Sequence, residues 1–395
     1  MLQQFLAGVL PILLIISVIV TFHEYGHYSV ARLFKTRIDR FSLGFGPILL
    51  KVTDKRGVDW CLSALPLGGY VKFAGDENIA SMAPSAEDLE AARQSITARE
   101  GAAAVNDYFH FKPIWQRFLI ILAGPMFNFI LAIVLFAGLG LAYGDSSYAP
   151  EIGRVMPNSP AATAGFQPGD RIVRVDDQPI QSFQDVSRVV MLHANTRLTF
   201  VVERKGQPVT VSVTPIRAVV TSPDGMQKTK AGYMGIAPTG KLTTRPVSVV
   251  EAIPYGAQET WKTLSSTLTY ISRIFVGREN GDQITSILGM TKVTGDYTVK
   301  VSQAKAPLAD KAEFLLQIYI GLAAAISVGV GFLNLLPIPI LDGGHLAFYV
   351  YQGVTKKHVS AGFQSVAFRL AAVLILGLML FAFWNDINNH FGLGR

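Results

Sequence analysis

The chain has 395 residues, half of them hydrophobic and only 16% charged, with a positive mean hydropathy. That balance excludes a disordered chain and does not suit an ordinary soluble enzyme. The formal net charge of +7 is compatible with nucleic-acid binding, but no basic, aromatic-interleaved patch accompanies it, so no nucleic-acid partner is expected.

Residues 5–22 form an uncharged apolar run, the first of four segments able to cross a bilayer; the others are 118–143, 314–341 and about 361–384. The expected fold is an α-helical integral membrane protein with four transmembrane helices. The first run lacks a basic leader and a small-residue cleavage site, so it reads as a retained span and not a signal peptide. It leads into Phe22-His23-Glu24-Tyr25-Gly26-His27. On a helix His23 and His27 lie one turn apart on one face, so their imidazoles can grip one Zn²⁺ while Glu24 serves as general base. The placement puts that metal at membrane depth, which suggests hydrolysis inside or at the edge of the bilayer. The plainer alternative is a juxtamembrane helix with two surface histidines.

After this first segment, 1–40, residues 41–112 read as a membrane-reentrant β region and a cytoplasmic loop. Leu43-Gly44-Phe45-Gly46-Pro47, and the stretch 62–73 with Pro66, Gly68 and Gly69, alternate short apolar runs with turn residues, as strands do. An edge at Gly68, Gly69 and Tyr70 can pair with an unwound substrate by strand addition. A hairpin with no substrate role is the other reading. Cys61, the single cysteine, excludes an intramolecular disulfide and reads as a small buried hydrophobe. Residues 85–104 are charged and alanine-rich, with Ser85 and Asp88 at capping-box spacing, and are expected to form a solvated helix.

The second span lies in 113–144, and 145–240 turns soluble, with β-branched runs at 171–175, 198–203 and 209–213 between turn residues. Ile152-Gly153-Arg154-Val155 through Pro160-Ala161, then Ala164-Gly165-Phe166-Gln167-Pro168-Gly169-Asp170, resembles a bacterial PDZ domain. The resemblance implies one external α/β domain with a peptide groove beside a carboxylate-binding loop. Tyr233, Met234, Gly235 and Ile236 look like that loop, which either captures a chain terminus or belongs to a steric gate. Residues 241–310 form a linker in which Trp261, Leu264, Leu268, Ile271 and Phe275 make a one-sided apolar helix, either lying on the outer membrane surface or packed on the spans.

Segment 311–345 holds the third span and ends in Asn334-Leu335-Leu336-Pro337-Ile338-Pro339-Ile340-Leu341-Asp342-Gly343-Gly344-His345. Pro337 and Pro339 forbid a regular helix, so freed carbonyls and Asn334 can face a cavity. An ionisable group at this depth is costly unless paired, and Asp342 would complete the three ligands of a catalytic zinc. Two alternatives stand beside this: Asp342 as a helix cap, and His345 as the third ligand. The fourth span and tail occupy 346–395. Arg32, Lys35, Arg37, Arg40, Lys112, Arg117, Lys356 and Lys357 cluster at one set of span ends. The positive-inside rule makes those flanks cytoplasmic, with both termini and 144–310 outside.

His-Glu-Tyr-Gly-His, Ala64-Leu65-Pro66-Leu67-Gly68-Gly69-Tyr70-Val71-Lys72, Lys112-Pro113-Ile114-Trp115-Gln116-Arg117-Phe118, Ala123-Gly124-Pro125-Met126-Phe127-Asn128-Phe129 and the Leu-Asp-Gly-Gly-His run together resemble the site-2 protease family. They are most similar to its bacterial regulator-of-sigma-E (RseP-like) type, over nearly the whole chain. The resemblance implies a zinc enzyme of the inner membrane that cleaves transmembrane segments of single-span proteins, such as anti-sigma factors after a first external cut, and clears remnant signal peptides. By position it makes His23, His27 and Asp342 the zinc ligands, Glu24 the activator of water and Asn334 a substrate-positioning residue. Two departures stand out: one PDZ-like domain where many relatives of this type have two, and Gly329 where some have another asparagine. The rival functions are a metal transporter or receptor, and a PDZ-bearing adaptor with a vestigial site. A transporter calls for polar residues along several spans, and here they cluster at two span ends.

Overall fold

Helix α1 (Leu2–Leu33) carries the first apolar run, and Leu6, Leu10, Leu14, Val18 and Phe22 leave one face of it exposed. It stops where Lys35 takes a left-handed φ of 55° and the Thr36 amide reaches back to the Ala31 carbonyl at 2.8 Å. The Lys112 ammonium donates to the Phe34 carbonyl at 2.7 Å and completes the cap. The computed structural model describes residues 2–75, 86–221, 228–240, 242–279, 281, 284–357 and 359–388. The chain divides into two units, Met1–Leu135 with Ser286–Arg395, and Phe136–Thr285.

In the first unit, strands β1 (Ile38–Thr53) and β2 (Asp59–Phe73) fill the stretch expected to be strand and turn. Each long strand folds back on itself. Gly44 and Gly46, both at φ 86°, bend β1 so that residues 59–62 pair with both 40–43 and 50–53, and the turn back of β2 brings 69–72 to the other side of 40–43. The outer segment of β1 leaves Leu49, Leu50 and Val52 exposed. Helix α2 (Ala86–Glu100) is the expected charged helix, although Ser85 of its proposed cap lies outside the described residues. Helix α3 (Ile114–Tyr143) carries the second apolar run, with Pro125 inside it.

The second unit begins with β3 (Asp145–Tyr148), β4 (Ile152–Val155), α4 (Pro160–Ala164), β5 (Arg171–Val175), β6 (Gln178–Pro179) and α5 (Phe183–Leu192). It continues with β7 (Leu198–Arg204), β8 (Gln207–Val213), β9 (Ile216–Thr221), β10 (Lys228–Tyr233), β11 (Ile236–Pro238) and β12 (Leu242–Arg245). The main sheet has the order β6-β5-β7-β8, and β11 pairs with β4. Ile152, Ile172, Val175, Val186, Leu198 and Phe200 fill its core. Helix α6 (Val249–Phe275) closes the unit behind a capping box of Ser248 and Glu251. Its buried face is small and polar: Ala252, Gly256, Thr260 and Arg273, whose guanidinium donates to the Ala194 carbonyl at 3.1 Å and Thr196 Oγ1 at 2.9 Å. Trp261, Leu268 and Phe275 of the predicted apolar stripe are exposed, so packing against protein does not account for that stripe.

Back in the first unit come α7 (Ile287–Gln303), α8 (Leu308–Leu335), α9 (Asp342–Thr355) and α10 (Ala361–Asp386). Among the described residues, four helices are long and apolar enough to cross a membrane: Leu6–Leu33, Ile114–Tyr143, Leu308–Leu335 and Gly362–Asp386. The chain is therefore a membrane protein, mostly helical with small sheets. The third span ends at Leu335 and not at residue 341, because Pro337 lacks the amide that would continue the ladder. Leu336 is accordingly extended, as a residue before proline prefers to be. Ile15 and Ile19 of α1, Leu131 of α3 and Ala323 of α8 pack together. Helix α7 meets α1 backbone to backbone at Gly8 and Gly295, where the Thr294 hydroxyl donates to the Gly8 carbonyl at 3.2 Å.

Candidate metal and catalytic site

The final turns of α1 put His23 and His27 on one face, as their spacing requires. The break at Pro337 and Pro339 carries the chain from α8 into α9, whose first residue is Asp342. Asp342 Oδ2 lies 3.1 Å from His23 Nε2 and 3.5 Å from His27 Nε2, and the two nitrogens are 3.2 Å apart. These edges match one face of a tetrahedron around an ion bound at about 2.0–2.1 Å, where ligand atoms stand roughly 3.3–3.4 Å apart. Asp342 Oδ2 is also a buried acceptor with no partner in hydrogen-bond geometry. A cation satisfies such an atom. Among the described residues, these three form the cluster able to hold a metal ion.

Neither alternative for Asp342 fits this geometry. Leu341 occupies the cap position of α9 and Asp342 sits inside the first turn, with its carboxylate turned to the histidines. His345, one turn further on, packs its ring toward Phe368 at 6.1 Å and is not in the cluster.

Helix α3 supplies the floor. His27 Nδ1 is 2.9 Å from the Ile120 carbonyl, and His23 Nδ1 is 3.1 Å from Asn128 Nδ2. Gly124 lies between these two contacts, and a side chain there would meet the His27 ring and come within 2.9 Å of His23 Cε1. The absence of a Cβ is what lets the imidazoles converge. Asn128 is itself anchored: its carbonyl accepts from the Ser327 hydroxyl of α8 at 2.8 Å.

Glu24 faces the β sheet. The Val71 amide donates to its carboxylate, and a Cβ on Gly69 would lie 3.3 Å from Glu24 Cγ and 2.8 Å from the Ser42 carbonyl. Gly68, Gly69 and Tyr70 thus stand on the strand segment beside Glu24, with the Tyr70 hydroxyl accepting from Arg40 at 3.3 Å. Asn334 occupies the last turn of α8, just before Pro337 and Pro339. In the second unit, Tyr233 ends β10 and Ile236 begins β11, while Met234 is buried and Gly235 has φ 83°. The carbonyls of Met234 and Gly235 accept from the amides of Ala161 and Met156, both at 2.8 Å.

Sequence reasoning did not single out Gly124, Asn128, Ile120 or Val71 as site residues. An asparagine inside an apolar span is a legible signal, because a buried amide must find partners. A glycine beside a proline is a weaker one. The two backbone groups leave no trace in residue type.

The model of Peptidase family M50 matches residues 11–378. The chain is 45% identical over 388 residues to Metalloprotease MmpA of Caulobacter vibrioides, covering 98% of this chain and 96% of that protein. It is 40% identical over 396 residues to a protein of Agrobacterium fabrum named "Putative zinc metalloprotease Atu1380", covering 98% of each. A similarly named Mesorhizobium japonicum protein, mll0638, is 40% identical over 391 residues, 97% of this chain and 99% of its own.

Proposed function

The chain belongs to peptidase family M50, the site-2 proteases, and from that membership we propose that this metalloprotease uses zinc to cut peptide bonds within transmembrane segments. The observation that carries the reading is the triangle of His23 Nε2, His27 Nε2 and Asp342 Oδ2, with edges of 3.1, 3.2 and 3.5 Å, which joins the final turns of α1 to the first turn of α9. Two imidazoles and one carboxylate suit Zn²⁺ and leave a position open for water or substrate. When bound, the ion supplies Lewis acidity, acidifying water and polarising a carbonyl.

The residues of the chain do the rest. Glu24, held by the Val71 amide, takes the proton of the attacking water on a carboxylate oxygen and can return it to the leaving amine. His27 keeps its orientation through Ile120. The strand edge at Gly68, Gly69 and Tyr70 receives the substrate as an added strand, and Asn334 with the carbonyls freed by Pro337 and Pro339 holds it in place. A helical substrate hides its carbonyls in i to i−4 hydrogen bonds, so it must unwind first.

The substrates in this reading are single-span membrane proteins: anti-sigma factors after a first cut, within a stress response of regulated intramembrane proteolysis, and remnant signal peptides. The basic span flanks support a bacterial inner-membrane enzyme with periplasmic termini and an active site toward the cytoplasm. The PDZ-like region 145–240, with Tyr233, Met234, Gly235 and Ile236 at its groove, binds a peptide or gates access from outside. The test is purified full-length protein with a single-span substrate. One equivalent of zinc and cleavage that a chelator removes and zinc restores are expected; absence of zinc, or cleavage indifferent to the chelator, overturns the proposal.

A further inference from the structure

Each imidazole turns one nitrogen toward Asp342 and the other toward α3. For His27 the second partner is unambiguous. The Ile120 carbonyl, 2.9 Å from Nδ1, can only accept, so Nδ1 carries the proton and Nε2 offers its lone pair.

His23 meets a group that can act either way. Its Nδ1 is 3.1 Å from Asn128 Nδ2. Asn128 is 0% exposed, and its Oδ1 is buried with no hydrogen-bond partner. With the amide turned so, Nδ2 donates to Nδ1 and the His23 proton sits on Nε2, the nitrogen 3.1 Å from Asp342 Oδ2. This tautomer has no lone pair to give a cation, and it strands a buried oxygen. Half a turn of the amide exchanges two atoms of nearly equal size. Oδ1 then accepts from Nδ1–H, the stranded oxygen gains a partner, and Nε2 is free to ligate.

We infer that Asn128 is a positioning residue that fixes the metal-binding tautomer and ring orientation of His23, as Ile120 does for His27. The inference rests on the reading of His23 as a zinc ligand. It concerns the side chain alone, because the backbone of Asn128 is secured separately by the Ser327 hydroxyl. Ligand-orienting partners of this kind govern metal affinity through the donor they hold. Leucine can neither accept nor donate at this position. Aspartate accepts only, which is the role ligation needs.

The experiment measures zinc affinity of the full-length protein in detergent, by competition with a chromophoric chelator. Asn128→Leu is expected to bind zinc about 10- to 100-fold more weakly, and Asn128→Asp to return to within about threefold of the parent. Ser327→Ala, which loosens the backbone anchor but keeps the amide, is expected to match the parent. Parental affinity in Asn128→Leu, equal losses in the leucine and aspartate variants, or a loss in Ser327→Ala as large as in Asn128→Leu each overturn the inference. His23→Ala separates the two levels: zinc retained there overturns the ligand assignment, whereas zinc lost there but kept in Asn128→Leu overturns only the role of Asn128.

Discussion

Replacing Gly124 by alanine adds one methyl group where α3 passes the two histidines. Two effects of opposite sign compete. In a helix interior alanine is favoured over glycine by about 1 kcal/mol, so α3 itself gains. The new Cβ, however, would lie 2.9 Å from His23 Cε1 and closer still to the His27 ring, whereas ordinary contact begins at 3.4 Å. His23 must therefore move by about 0.5 Å and His27 by more, against a tolerance of about 0.2 Å for metal–ligand distances. Overpacking of this sort costs about 1–3 kcal/mol, part of it offset by the helical gain, so the fold survives. The site does not. Misplacement approaching 1 Å costs on the order of a hundredfold in rate. Gly124→Ala is expected to keep its helical circular dichroism and its thermal midpoint within a few degrees, while zinc affinity and cleavage of a single-span reporter each fall by a factor of ten or more. Zinc affinity and turnover both equal to the parent in a folded Gly124→Ala protein would refute the idea that this missing Cβ lets the histidines converge.

Glu24→Gln keeps the shape and removes the base, so cleavage should disappear while zinc content stays at the parental level; residual turnover above background would remove Glu24 from its role. Lys112→Met keeps the aliphatic stem but strips the donor from the Phe34 carbonyl at the end of α1, which should cost about 1–3 kcal/mol and lower the thermal midpoint in detergent. The Tyr108 hydroxyl, and after it the Arg37 guanidinium, hold the Glu100 carboxyl below the ordinary carboxylate range. A depressed carboxylate stabilises above its unfolded pKa of about 4.3 and ceases to as pH falls through the lower folded value. Residues 86–100 should therefore become more open to proteolysis below about pH 4, and Glu100→Gln should remove that pH dependence.

The parts of this molecule that the sequence exposes are those governed by local periodicity. His23 and His27 are one turn apart in any helix, and the apolar runs predict four membrane-length helices because no other regular structure satisfies so long a backbone in lipid. Asp342 was legible for a different reason: an ionisable group at a span end needs a partner. Where pattern and chemistry diverged, the chemistry of one residue won. Apolar composition runs on to residue 341, but the missing amide of Pro337 ends α8 at Leu335. Non-local pairing was not legible at all. The double use of residues 40–43 in β1 depends on partners 19 to 32 residues away, and α7 meets α1 backbone to backbone through Gly295. For α6 the apolar period was read correctly, yet Arg273 and small residues, not that stripe, fix it in place.

Polar atoms at the ends of apolar helices are expensive, and the way this site distributes that cost identifies its open side. His27 Nδ1 is paired with Ile120, the Asn128 carbonyl with Ser327, and the Glu24 carboxylate with Val71. Apart from Asn128 Oδ1, the site atom left without a partner is Asp342 Oδ2, which stands 3.1 and 3.5 Å from the two Nε2 atoms. A structural ion pair would be arranged the other way, with donors distributed so that no acceptor was left over. The residual demand here is for positive charge at one point, enclosed by Gly124 on one side and approached by the Gly69 segment and Glu24 on the other. Gly69→Val tests the approach without touching a ligand. Its larger side chain would press on Glu24 Cγ, 3.3 Å from where a Cβ would stand, and on the Ser42 carbonyl at 2.8 Å. Zinc affinity should stay at the parental level while kcat falls at least tenfold; a variant that lost zinc and kept its residual activity per bound ion would place Gly69 on the metal side of the site instead of the base side.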